Sequence, residues 1–482
     1  MIHFKYNRSN LRPANGTHQN GGGLMTSTSI PTIVKKQKEF FHTGETRDVA
    51  FRKHHLHRLR EWIRSHEAKI SHALKEDLNK STKEAYTTEI GITLKEIHTA
   101  LNHVKQWSRP QRVPTSLIHF GAKSWIQPEP YGSALIIGPW NYPFQLLVAP
   151  LIAAIAAGNC AVIKPSELAP HTSSLIREMV EELFEATYIK VIEGDAETST
   201  ELLAQPFDTI FFTGSVPVGK IVMEAAAKHL TPVTLELGGK SPVIVDNDAD
   251  ISLAAKRIAW GKTINAGQTC IAPDYLLVHR DVEEPLIKGI QAAIRENFGE
   301  HPLRHPDYPH IINRRHFDRL SHLLENGEIL SGGVMDPKLP AIEPTLIGEV
   351  SWDDPIMNDE IFGPLLPVIP FDNLDEMIEK VRSKPKPLAL YYFTSSKEKE
   401  KKILESLPFG GGCINDTVMH FASPYLPFGG VGPSGLGNYH GKHGFDAFSH
   451  HKGILKQTTR FDMPFRYPKS KVGLSIIRKL LR

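Results

Sequence analysis

The sequence predicts an α/β protein built around a doubly wound parallel sheet. Three observations carry that prediction. From Ser133 to Gly239, short apolar runs alternate with helical stretches across short turns, the mark of parallel strands joined by crossover helices. The segments after those runs, "GPWNYP", "KPSE", "FTGS" and "ELGGK", are polar or glycine-rich, and such sheets bind ligands at the carboxyl ends of their strands. Finally, 40% apolar and 23% charged residues in a chain of 482 allow a sizeable core, in about three domain-sized units or two large ones.

Taken in order, Met1 to Ser29 is polar and has no apolar h-region. With Gly21–Gly23 and Met25 it reads as a disordered leader, or as sequence ahead of a second start, and not as a secretory signal. Ile33 to about Trp107 has helical periodicity, clearest in "LHRLREWIRSHEAKISHALKEDL". Strands are expected at Ser133–Gly138, Cys160–Lys164, Ile189–Gly194, Thr209–Gly214 and Val233–Gly239. Helices are expected at Phe144–Ala157, Thr172–Glu185, Glu197–Ala204 and Val218–His229. A second α/β stretch opens with a strand at Ser241–Asp246 and a helix at Ile251–Ile264, and runs to about Ile414. Pro427–His451, rich in Gly, His and Phe, reads as an extended arm and not as a core element.

Other classes are disfavoured. A net charge of +3 is too small to make nucleic acid the main partner. Cys160, Cys270 and Cys413 are odd in number and far apart, which argues against a disulfide framework and for a reducing compartment. No Cys/His cluster has zinc spacing, so no metal is expected. The longest apolar run, Leu146–Ala157, contains Pro150 and is too short to cross a bilayer. A soluble cytoplasmic protein is expected.

Four short motifs could carry chemistry, and each also has a plainer reading. In "FTGSVPVG", Gly214 and Gly219 bracket a strand-to-helix turn that could cradle a phosphate or be only a tight turn; it lacks the Lys-Ser/Thr of a Walker loop. Lys164 and Glu167 in "IKPSE" could bind ribose hydroxyls or form a surface ion pair. Glu236 in "ELGGK" could be a general base or simply end a strand. Cys270, after Gly267-Gln268-Thr269 in what reads as a flexible connector, could be inert or a nucleophile. A nucleophile needs an oxyanion donor, for which the amide of Asn141, between Pro139 and Pro143, is a candidate.

Together these residues resemble the NAD(P)-dependent aldehyde dehydrogenases, most closely the class 3 fatty and aromatic aldehyde branch. The resemblance runs from about Ile33 to Tyr467. It rests on "PWNYP" (139–143), "IKPSE" (163–167), "FTGSVPVG" (212–219), "LELGGKSP" (235–242), "NAGQTC" (265–270), "EIFGP" (360–364) and "LPFGGVGPSGLGNYHGKHGFDAFSH" (426–450). The class 3 assignment comes from "FFHTG", "CIAPDYLL", "NDTVMH" and the "YHGKHGFDAFSH" tail, with no long N-terminal segment.

The resemblance implies a Rossmann-like dinucleotide-binding domain (30–110 and 131–235), an α/β catalytic domain (236–416) and an oligomerisation arm (111–130 and 417–460), with a homodimer as the expected assembly. It implies Cys270 as nucleophile, Asn141 and the Cys270 N–H as oxyanion donors, and Glu236 as the base that hydrolyses a thioester. It implies a turn of Gly214, Ser215, Val216, Pro217, Val218 and Gly219 at the pyrophosphate. Lys164 and Glu167 fall at the adenosine ribose, and Glu360 and Phe362 at the nicotinamide end. Glu167 would hinder a 2′-phosphate, favouring NAD over NADP without excluding NADP. The implied substrates are small aldehydes, medium- or long-chain aliphatic or aromatic. CoA-acylating chemistry and a silent binding protein are the alternatives, and intact Glu236, Cys270 and Asn141 weigh against them. The tail 461–482 places Ile476, Ile477, Leu480 and Leu481 on one helical face among Lys469, Lys471, Arg478, Lys479 and Arg482. It could touch an anionic membrane or pack as a short helix.

Overall fold

The apolar runs from Ser133 onward form strands because β-branched and aromatic residues fill both faces of a buried parallel sheet. A computed structural model describes residues 29–471 and 473–481. From edge to edge the first sheet runs Gly435–Leu436, Val233–Glu236, Thr209–Thr213, Ser133–Ile137, Cys160–Lys164 and Ile189–Val191. The last five are parallel, Ala134 standing beside Ala161 on one side and Thr209 on the other. The chain builds outward from Ser133–Ile137 in one direction, then returns to its other side with Thr209–Thr213. The strand order therefore reverses between these two, and the crevice beyond their carboxyl ends is the usual ligand position. "GPWN" and "FTGS" follow these two strands.

The crossover helices are Gln145–Ala157, Pro170–Leu183, Ala196–Leu203 and Val216–Ala227. Gln145–Ala157 is apolar on all sides and almost wholly buried, and it ends where Gly158 turns left-handed (φ 98°). In the N-terminal helical layer, Ile30–His42 packs on the strands Ser133–Ile137 and Cys160–Lys164, while Val49–Ser65, Glu67–Leu78 and Gly91–Trp107 pack on the crossover helices Gln145–Ala157 and Pro170–Leu183. Gln37 stitches the first of these to the strands: its amide donates to the Ala161 carbonyl (2.8 Å) and accepts from the Ser133 hydroxyl (2.9 Å).

The second sheet has seven strands: Glu328–Ser331, Thr345–Gly348, Leu365–Phe371, Tyr275–His279, Pro242–Val245, Ala389–Phe393 and Gly411–Ile414. All neighbours are parallel except the first pair. A third, antiparallel sheet joins Gln111–Val113, Lys123–Pro130 and Ser449–Lys456, which are largely exposed or half-buried.

One expectation needs correction. Most of Pro427–His451 is not an extended arm. Gly435–Leu436 adds an antiparallel strand to the first sheet, and Tyr439, Phe445 and Phe448 are buried in the core around the helix Gly441–Ala447. The aromatic rings supply the driving force. Glycine supplies the access, since a Cβ at Gly435 (φ 155°) would overlap the Leu235 carbonyl. Only Ser449–Lys456 runs outward as a strand.

Of the predicted leader, 1–29, residues 1–28 lie outside the described residues, as do Arg482 and the side chains of Ile476, Ile477 and Leu480 in the tail. The tail backbone forms a helix at Leu474–Leu480. Among the described residues, no helix is long and apolar enough to cross a membrane.

Candidate active site

Cys270 lies just after the helix Ile251–Thr263, beyond a tight turn. The turn is a held structure and not the flexible connector that its composition suggests. Asn265, Ala266 and Gly267 are all left-handed, with φ of 50°, 51° and 71°. Such backbone costs energy for Asn and Ala and persists only where its surroundings over-determine it. Here Gln268 is fully buried; its amide donates to the Asn265 carbonyl (3.0 Å) and the His310 carbonyl (2.9 Å) and accepts from the Ile312 N–H (3.0 Å). The hydroxyls of Tyr142 and Thr269 share a bond of 2.6 Å. Gly267 admits the neighbouring backbone, because a Cβ there would overlap the Gly363 carbonyl.

Asn141 is buried beside this turn, and its side-chain amide donates to the Gln268 carbonyl (3.1 Å). That bond uses one of two amide hydrogens, so a second remains for another acceptor. Glu236 ends the strand Val233–Glu236, is 2% exposed, and has no hydrogen-bond partner at either carboxylate oxygen. Burial raises its pKa well above the ordinary carboxylate range. Cys270 and Glu236 line the same cavity of about 580 Å³. Burial also raises the Cys270 thiol, with the charges of Glu360 and Glu236 adding to the effect. The thiol is therefore held protonated, and a nucleophilic role requires a proton acceptor within the site.

The turn after Thr209–Thr213 leads into the helix Val216–Ala227, with Ser215 extended at its N-cap and making no side-chain cap bond. The first-turn amides of Val216 and Val218 have no intrahelical acceptor, and Pro217 has no N–H. The N–H groups of the two glycines are already engaged within the chain. Gly214 donates its N–H to the Glu236 carbonyl (3.0 Å), and Gly219 donates to the Ser215 carbonyl (2.9 Å). A Cβ at Gly214 would lie 2.5 Å from the Phe212 ring, and one at Gly219 2.6 Å from Leu237. Both glycines serve close packing, and the amides left without an acceptor at this helix start are those of Val216 and Val218.

Lys164 and Glu167 form an ion pair of 2.8 Å, the lysine buried and the glutamate about half exposed. The carboxylate of Glu360 occupies the space that glycine leaves at position 238. Burial, with Asp274 adding, pushes its pKa up to about 8, against the Gly239 N–H, Lys240 and Arg319. Phe362 is left-handed (φ 50°), and its ring packs edge-on against Trp140 at 5.3 Å.

The sequence reading missed most of the cavity wall. Thr88 and Ile92 come from the N-terminal helical layer, Trp260 from the helix before Cys270, Phe298 from the end of a second-domain helix, and Met419 and Phe421 from near the sheet edge. Only Met419 lies in a quoted motif, "NDTVMH", and no local signal marks the others.

The family model described as "Aldehyde dehydrogenase family" matches residues 6–454. The Staphylococcus aureus protein named 4,4'-diaponeurosporen-aldehyde dehydrogenase is 49% identical over 447 residues, covering 92% of this chain and 97% of its own. Aldehyde dehydrogenase family 3 member A2 of Macaca fascicularis is 44% identical over 437 residues, 90% of each chain. Among solved structures, the substrate-bound state of Staphylococcus aureus AldH has a TM-score of 0.92 at 48% identity, covering 94% of this chain and 100% of that one. The NAD+ complex of an aldehyde dehydrogenase from Bacillus cereus has a TM-score of 0.81 at 26% identity, covering 88% of each.

Proposed function

This chain belongs to the aldehyde dehydrogenase family, in its class 3 branch, and we propose how its residues divide the oxidation of an aldehyde to a carboxylic acid with NAD or NADP. The observation that carries the proposal is that Cys270 and a buried, unpartnered Glu236 face one cavity.

The residues present fit a dinucleotide. The free amides of Val216 and Val218 with exposed Ser215 suit a pyrophosphate at a helix start. Lys164 and Glu167 suit the adenosine ribose, and Glu360 and Phe362 the nicotinamide end. The bound dinucleotide supplies the hydride acceptor.

Cys270 attacks the aldehyde carbon and forms a thiohemiacetal. Its proton passes to Glu236 in its ionised form, which burial makes scarcer but a stronger base than an exposed carboxylate. The free Asn141 amide hydrogen and the Cys270 N–H hold the oxyanion. One such donor is typically worth about 3 kcal/mol. Loss of hydride leaves a thioester on Cys270; Glu236 releases the thiol proton to solvent and then activates the water that releases the acid.

The substrate class follows from the wall of the cavity. Ile92, Leu146, Trp260, Phe298, Met419 and Phe421 make it largely apolar, and about 580 Å³ is the size of a site for a medium-sized ligand. That favours medium- or long-chain aliphatic or aromatic aldehydes, and the relative named for a diaponeurosporen aldehyde agrees. The open edge of Ser449–Lys456 supports a homodimer through strand pairing, tested by light scattering. The basic last turn of Leu474–Leu480 supports weak contact with anionic membranes, tested by liposome binding with and without 469–482. Three free cysteines support a reducing compartment such as the cytoplasm.

The test is NAD⁺ and NADP⁺ reduction by the purified protein, using aldehydes from acetaldehyde through decanal to benzaldehyde, with and without coenzyme A. Turnover without coenzyme A, best on longer or aromatic substrates, is the expected result. A strict requirement for coenzyme A would replace hydrolysis by acyl transfer.

A further inference from the structure

The N-terminal helical layer carries no catalytic motif, yet it sends three ionisable side chains toward the site. Lys80 and Glu89 are both fully buried. The Lys80 ammonium donates to Glu89 Oε1 (2.5 Å) and to the Asn141 carbonyl (2.8 Å), and lies 3.9 Å over the Tyr142 ring. Glu89 Oε2 accepts from the N–H groups of Phe144 (2.9 Å) and Gln145 (3.1 Å). One buried pair thus holds both ends of the segment from Asn141 to Gln145. Asn265 connects that segment to the cysteine turn: its side-chain amide donates to the Asn141 carbonyl (2.8 Å) and the Gln268 carbonyl (3.1 Å). Glu84 Oε1 accepts the backbone N–H of Asn265 (2.7 Å), at the first left-handed residue of the turn, and Glu84 also lines the cavity.

Burying an ion pair is a poor route to stability, because desolvation offsets most of the attraction. It does fix geometry. Apart from the Lys80–Glu89 contact itself, each bond here ends on a backbone group of one of two segments, one carrying Asn141 and the other leading to Cys270. A turn of consecutive left-handed residues, two of them not glycine, needs this kind of external hold.

We propose that Glu84 and the Lys80–Glu89 pair are positioning residues for the oxidation: together they clamp the Asn141 segment against the turn Asn265–Gly267, so that the oxyanion donor and the thiol face one point. The inference rests on the roles assigned above to Cys270 and Asn141. Glu84 acts through the Asn265 N–H and not on the reacting atoms. What matters is an acceptor oxygen at that place, not its charge.

The test compares full-length wild type with Glu84→Ala and Glu84→Gln, using NAD⁺ and decanal. Glutamine retains an acceptor oxygen for the Asn265 N–H, whereas alanine does not. A loosened near-attack geometry costs on the order of ten- to a hundredfold in rate. Glu84→Ala is expected to lose that much in kcat and in the first-turnover rate of NADH formation, with KM for decanal within about twofold and an unchanged dissociation constant for NAD⁺. Glu84→Gln is expected to keep most of the wild-type kcat. The double variant Lys80→Met/Glu89→Gln, which removes both charges at similar volume, is expected to fall in kcat like Glu84→Ala if its melting temperature shows it folded. Wild-type kcat in Glu84→Ala would overturn the proposal. Equal loss in the glutamine and alanine variants would make Glu84 a charged group in the chemistry, and a raised KM at constant kcat would make it a substrate contact; either result overturns positioning. Inactive wild type would overturn the underlying functional reading, and the clamp with it.

Discussion

Replacing Glu236 by glutamine probes two consequences of its burial at once. The side chain is 2% exposed and both carboxylate oxygens lack partners, so desolvation raises its pKa. In the unfolded chain the group ionises near its ordinary value of about 4.3. Between that value and the raised one, the native state holds a proton that the unfolded state has lost. Stability therefore falls as pH rises through this window, by about 1.4 kcal/mol per pH unit, and the group adds no pH dependence below the window. Glutamine has nearly the same shape and does not titrate. For a chain of 482 residues, unfolding as one unit carries an entropy of about 1 kcal/mol per kelvin. The wild-type melting temperature should thus drop about 1.4 °C more per pH unit than that of Glu236→Gln. Scanning fluorimetry of both proteins from pH 5 to pH 7 measures this. Glu84, raised to about 7, and Glu360, raised to about 8, titrate in both proteins and cancel in the difference. The kinetic consequence is separate. Without the base, acid release should slow by about 10²- to 10⁴-fold, and NADH formation in the first turnover should slow as well, because the Cys270 proton has lost its acceptor. Parallel melting curves would refute the argument from burial, and an unaltered rate of acid release would remove Glu236 as the base.

Other substitutions test the remaining roles. Cys270→Ala should lower turnover by more than about 10³-fold and leave NAD⁺ binding by fluorescence titration unchanged; residual turnover near wild type would exclude the thiol as nucleophile. Asn141→Ala removes one oxyanion donor and should lower kcat by about 10²- to 10³-fold, with KM changing far less in steady-state assays. Glu167→Gln weakens a half-exposed charge that faces Lys164 at 2.8 Å. It should shift the ratio of kcat/KM values toward NADP⁺ by about fivefold, the equivalent of about 1 kcal/mol between exposed charges; an unchanged ratio would remove Glu167 as the discriminator.

Much of the first sheet was legible along the chain, because strand and helix periodicities are local properties. The strands Cys160–Lys164 and Thr209–Thr213 lie where the apolar runs put them. Two helices start two residues earlier than their periodicity suggested, at Pro170 and Val216, where proline in the first turn fits a helix start. The region Pro427–His451 was misread because its glycines and histidines look like a loop. The burial of Tyr439, Phe445 and Phe448 depends on partners hundreds of residues away.

The same division holds at the site. Cys270, Glu236 and Asn141 stand out in one dimension, since reactive side chains beside glycine and proline are a local pattern. Their surroundings are not local. That Glu236 lacks a partner, that the cysteine turn is left-handed, and that Lys80, Glu84 and Glu89 reach the site from a segment between Leu78 and Gly91 with no motif of its own all depend on which segments meet in the folded chain. Desolvation and hydrogen bonding are set by neighbours in space. Residue order thus singled out Cys270, Glu236 and Asn141 as candidates, and only packing decided their protonation, their cavity and what holds them in place.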